Sequence, residues 1–135
     1  MATRYCQQYR ATQVETAGPV TLVTMMYDGA LGLLAQAEDH LGAGRLERAS
    51  RALTRAQAIL TELTCALNFD AGDLARRLEA LYTYMKRRLV AANLQRDPGS
   101  VAEVRKLLQE LRDTWVQATG SVQKGGGPVG TVRTT

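Results

Sequence analysis

Residues 46–67 read LERASRALTRAQAILTELTCAL, and within them Leu46, Ala49, Leu53, Ala56, Leu60, Leu63 and Leu67 recur at strictly alternating steps of four and three. An apolar residue every 3.5 positions keeps one side of an α-helix turned toward a neighbouring helix, so this stretch reads as a bundle seam, spanning about 45–68.

The flanking segments repeat the pattern. Upstream, Gly18-Pro19 breaks the chain and places a proline where a first helical turn tolerates it. Val23, Met26, Ala30, Leu33 or Leu34, Ala37 and Leu41 then mark a helix over about 19–42, stopped by Gly42-Ala43-Gly44. Downstream, Asn68-Phe69-Asp70-Ala71-Gly72 interrupts the seam, and Asp73 is expected to cap a helix over about 73–95. That helix turns Leu74, Leu78, Leu81, Tyr82, Met85, Leu89 and Ala92 inward. Asp97-Pro98-Gly99-Ser100 is a turn, with Ser100 as expected N-cap and Glu103 completing a capping box. A last helix, about 100–119, carries Val101, Val104, Leu108, Leu111, Trp115 and Ala118 on one stripe. Connections of a few residues make sequential helices antiparallel neighbours. The expected fold is all-α: an up-down four-helix bundle over 18–119, preceded by an N-terminal arm (1–17). The segment 120–135 has too little apolar content to offset its ordering entropy and is expected to be a disordered tail.

Composition narrows the function. The 135 residues are 45% hydrophobic but only 5% aromatic, with 3 prolines, which suits helix over strand. The net charge of +4 is unevenly spread. Residues 19–42 carry Asp28, Glu38 and Asp39 and no base, while 73–95 carry Arg76, Arg77, Lys86, Arg87 and Arg88 against Asp73 and Glu79. Opposite segments can complement one another inside a bundle, and no run of consecutive bases forms a nucleic-acid footprint. Cys6 and Cys65 form no CxxC and would close a long loop, so reduced thiols are expected. No segment reads as a signal peptide or membrane span, which gives a cytoplasmic expectation without membrane insertion. His40 is the single histidine, no Glu-x-x-His repeats, and Gly125-Gly126-Gly127 lies in the tail. No metal, cofactor or enzymatic chemistry is expected.

A second, weaker stripe runs beside the seam: Ala52, Ile59 and Ala66, with Leu107 and Thr114 beside Leu108 and Trp115. Such a stripe either floors a groove for an amphipathic partner helix or belongs to one wide buried face. Tyr82 and Trp115 lie on the seams and read as core. Asp28, inside an apolar helix, is expected to pair with Arg87 or Arg88, since a partly buried charge without a partner is costly. Of those two arginines, Arg88 is assigned to structure and Arg87 to a partner.

Four stretches together resemble FliS, the flagellin-specific export chaperone family, over about residues 5–118. Gly18-Pro19 with Leu22 to Leu31 resembles its opening "SPxxLxxMLYDGAL". Arg48-Ala49 and the run Ala56 to Leu63 resemble "KAxxIIxEL". Leu81-Tyr82-Thr83-Tyr84-Met85-Lys86-Arg87-Arg88-Leu89, ending at Ala92-Asn93, resembles "LYxYMxRRLxxAN", and Leu111 to Trp115 resembles "LRxxW". Arg77 departs from the family by replacing a neutral polar residue, and Cys6 stands where an apolar residue is usual. The resemblance implies a cytoplasmic chaperone that binds flagellin's disordered C-terminal segment, blocks premature polymerisation and meets the export gate and other flagellar proteins. Partner contacts are expected at Tyr5, Cys6, Tyr9, Ile59, Arg87 and Leu107, with structural roles for Asp28, Tyr82, Arg88 and Trp115. The alternative is a self-associating helical adaptor, a homodimer built on the second stripe.

Overall fold

The computed structural model describes residues 19–68, 70 and 72–124. Four helices account for nearly all of them: α1 (Pro19–Gly42), α2 (Leu46–Cys65), α3 (Asp73–Gln95) and α4 (Pro98–Lys124). Among the described residues α1 packs on α2 and α4, and α3 packs on the same two, while the backbones of the diagonal pairs stay apart. The bundle is therefore square and up-down, with α1 the most heavily packed helix.

The stripes read from the sequence close on one core. Leu34 of α1, Leu53 and Leu60 of α2, Met85 and Leu89 of α3, and Val101, Val104 and Leu108 of α4 are sealed from water. Each buried leucine contributes roughly 1.5–3 kcal/mol. The stripe ends come out wet instead: Leu74, in the first turn of α3, and Ala118, near the end of α4, are exposed.

Two helix ends share one device. At the end of α1, Arg45 N–H donates to the His40 carbonyl at 2.8 Å and Gly44 N–H to the Leu41 carbonyl at 3.2 Å. Gly44 holds the φ of 77° this Schellman closure demands. At the end of α3 the residue in that conformation is Arg96, φ 55°, with Asp97 N–H donating to the Ala92 carbonyl at 3.0 Å. A side chain crowds the left-handed region, so Arg96→Gly is expected to raise stability by about 1 kcal/mol in a urea melt.

The helix starts differ from expectation. Gly72, φ 78°, precedes α3, and Asp73 lies inside the first turn, 3.8 Å from Arg76. Helix α4 begins at Pro98, because proline is pre-organised for a first turn. Asp97 is the cap, accepting from the Gly99 N–H at 3.0 Å, while Ser100 is buried and donates to Asp97 Oδ2 at 2.8 Å. Helix α4 also continues to Lys124, past the boundary expected at 119. A single Gly120 costs only about 1 kcal/mol once the helix is propagating.

Two further expectations are corrected. Cys65 is buried and disulfide-bonded rather than reduced. A long closed loop is no bar to such a bond, because closure cost grows only logarithmically with length. Residues Val20–Gly42 are long and apolar enough to cross a membrane by length and composition. A core helix meets the same criterion, and α1 buries Tyr27, Ala30, Leu34, Ala37 and Leu41 against its neighbours.

Candidate partner-binding surface

The square arrangement decides which charges can meet. Asp28 faces α4, not α3: its Oδ1 accepts from Arg112 Nε at 2.9 Å. The expected pairing with Arg87 or Arg88 fails because Asp28 lies on the α4 side of α1, with the α3 backbone across the diagonal, and Arg88 is taken by Glu103. On the same α1–α4 seam Arg105 forks onto Glu38, and Trp115 Nε1 donates to Thr24 Oγ1 at 2.9 Å. Trp115 is partly buried against the core.

Arg88 instead reaches α4. Its Nη2 donates to Glu103 Oε1 at 2.7 Å and to Ser100 Oγ at 3.0 Å, and Tyr84 donates its hydroxyl to Glu103 Oε2 at 2.6 Å. The Tyr84 hydroxyl, then the Arg88 guanidinium, hold Glu103 below the usual carboxylate range. Glu103 thus ties α3 to α4 rather than completing a capping box.

Across the core, the diagonal is bridged by a hydrogen bond: the hydroxyls of Tyr27 and Tyr82 lie 2.7 Å apart and buried. Burial pushes both phenols above their ordinary range. The α2–α3 seam is polar by comparison, with Asn93 donating to Ser50 at 3.2 Å and Lys86 to Thr61 at 3.4 Å.

The residues expected to touch a partner are dispersed. Ile59 lies in the α1–α2 seam, where a Cβ at Gly29 would come 3.4 Å from its Cδ1. Leu107, one helical turn beyond Glu103, lies toward α3 and is also half-buried against the core. The two sit on different seams and share no groove floor. Arg87 is exposed on the outer face of α3. Tyr5, Cys6 and Tyr9 lie outside the described residues.

A feature missed in the sequence is the outer face of α3. Among the described residues it carries Val90 and Leu94, exposed at 46% and 79%; Leu74, at the wet end of the inward stripe, and Tyr84, tied to Glu103 of α4, are exposed at 64% and 42%, and the remaining exposed large apolar residue is Met25 on α1. Val90 and Leu94 stand one turn apart, off the inward stripe, and that spacing was the available signal. Beside them, Thr83, Lys86, Arg87 and Val90 line a concavity of about 320 Å³. No group of His, Cys, Asp and Glu among the described residues could hold a metal ion.

Residues 1–122 match the family described as flagellar protein FliS. The chain belongs to the FliS family. A flagellar secretion chaperone FliS from Bacillus subtilis (strain 168) is 38% identical over 116 residues, covering 86% of each chain. Its Salmonella typhimurium (strain LT2) counterpart is 35% identical over 115 residues, covering 84% of this chain and 85% of the relative. A flagellar secretion chaperone FliSB from Pseudomonas aeruginosa (strain PAO1) is 34% identical over 113 residues, covering 83% and 90%. A crystal structure of a bacterial flagellar chaperone superposes with a TM-score of 0.71 at 22% identity, covering 87% of this chain and 97% of that one, and carries the same fold. FliS is a family of flagellar secretion chaperones and not of enzymes, in keeping with a bundle whose distinguishing surface is apolar and cationic.

Proposed function

We propose that this chain acts in the cytoplasm as a chaperone for flagellin, binding its disordered C-terminal segment, preventing premature polymerisation and keeping it competent for export. The observation that carries the reading is the outer face of α3, where Val90 and Leu94 stand in water beside Arg87. A disordered amphipathic segment can lay its apolar side on such a face and order as it binds. Ordering costs several kcal/mol, so the client must wrap a large surface. That extent accommodates contacts from Tyr5, Cys6 and Tyr9 of the arm together with Ile59, Arg87 and Leu107. Asp28, Tyr82, Arg88 and Trp115 serve the bundle itself. Delivery to the export gate belongs to the same reading.

Isothermal titration of full-length flagellin and of flagellin lacking its C-terminal segment tests it. Saturable binding by the first and loss of binding by the second is the expected pair of results. Equal binding by the truncated protein refutes the assignment of the client segment. Light scattering of the free chain separates it from the self-associating adaptor, for which the α3 face would be covered by a second copy.

A further inference from the structure

Taking flagellin's C-terminal segment as the client, we infer that the concavity formed by Thr83, Lys86, Arg87 and Val90 receives the very end of that segment, its α-carboxylate and last side chain. These positions are i, i+3, i+4 and i+7 on α3, one contiguous patch of helix surface. Two cations flank it, and an apolar side chain lies at one end.

The charge accounting singles out this pair. On α3, Arg76 has Asp73 at 3.8 Å and Arg88 has Glu103 at 2.7 Å, while Arg77, exposed and bridged to no described acid, is not among the residues that line the concavity. Lys86 donates to the neutral Thr61 hydroxyl at 3.4 Å, and Arg87 forms no ion pair with a described residue. Glu79, the acid one turn before Thr83, is bridged to neither cation among the described residues. Two adjacent positive charges therefore face a concavity of about 320 Å³, and neither is ion-paired to a carboxylate among the described residues. A carboxylate from outside complements them, and the guanidinium fork of Arg87 can take it through two N–H donors.

Val90, half exposed, selects which carboxylate. In an aspartate or glutamate the acid is itself the side chain, so the same residue has nothing left to cover Val90. At a chain terminus the carboxylate and an apolar side chain leave one Cα, and one residue satisfies both halves of the patch. The client segment ends in such a residue if its last side chain is apolar, or at least presents an aliphatic stem.

The test compares two synthetic peptides of flagellin's C-terminal segment, one a free acid and one a C-terminal amide, titrated into the full-length chain by fluorescence anisotropy. The amide should bind about three- to tenfold more weakly, the scale of a charge-assisted contact at a partly exposed site. The gap should close in about 1 M salt, where the screening length falls to about 3 Å. In Lys86→Ala/Arg87→Ala the two affinities should converge, while circular dichroism confirms that the helices remain. Equal affinities for the wild-type chain overturn the inference and leave the flagellin reading standing. A gap that persists in the double variant places the carboxylate elsewhere and also overturns it. Failure of both peptides to bind overturns the flagellin reading itself.

Discussion

Tyr82→Ala should lower the unfolding free energy by about 3–5 kcal/mol, the range for removing a buried aromatic ring, in urea denaturation followed by circular dichroism. Tyr82 is only 2% exposed, so its loss leaves a cavity that its neighbours fill incompletely, and it also orphans the Tyr27 hydroxyl 2.7 Å away. The two causes can be separated. Tyr82→Phe keeps the ring and strands only the hydroxyl, at a cost of about 1–3 kcal/mol. Tyr27→Phe/Tyr82→Phe removes both hydroxyls and leaves nothing unsatisfied, so its cost should be less than the two single losses together. Strictly additive losses would mean that the hydroxyls do not depend on each other. The same pair sets a pH dependence. Burial raises both phenols above their ordinary value of 10.0, so above that pH the unfolded chain releases protons that the folded chain retains. Their stabilisation is present below about pH 10 and is lost as the pH rises further, and the double phenylalanine variant should lack that loss.

The helices were legible because their signal is local. Leu53, Ala56, Leu60 and Leu63 declare a seam whatever surrounds them, and the structure buries all four. What was not legible is which seam faces which. A spacing of seven says that Asp28 shares a helix with the core, but only the square packing shows that Arg112 is within reach and Arg88 is not. The start of α4 was a local contest between two good caps, Asp97 and Ser100, and Pro98 settled it by fixing the first helical turn one residue after Asp97. The candidate surface was harder still. Ile59 and Leu107 were found by asking where helices carry more apolar surface than one seam needs, and the structure divides them between two seams. Leu94 and Val90 satisfy the same question better. They escaped notice because Val90 merges into the apolar run Leu89 to Ala92 and Leu94 stands between Asn93 and Gln95, and an isolated exposed leucine is ordinary on any protein surface. Only their concentration on one helix gives them meaning.

Leu107 and Leu108 are adjacent in sequence, and their alanine variants should part company. Leu108 is completely sealed, so Leu108→Ala should cost about 3–5 kcal/mol, transfer and cavity together. In a domain with about 5–15 kcal/mol of total stability that is a loss of a third or more. Leu107 is half-buried, and a cavity open to water refills, so Leu107→Ala should retain the transfer loss alone and cost less than half as much. If the proposed chaperone role holds, its deficit appears in the flagellin titration instead, as weaker binding by a protein whose melting curve is close to that of the parent. The Ile59→Ala and Leu60→Ala pair on α2 repeats the comparison on another seam, with Leu60 sealed and Ile59 packed over Gly29. Should Leu107→Ala destabilise as much as Leu108→Ala and leave flagellin affinity untouched, Leu107 belongs to the core, and the client surface retreats to α3.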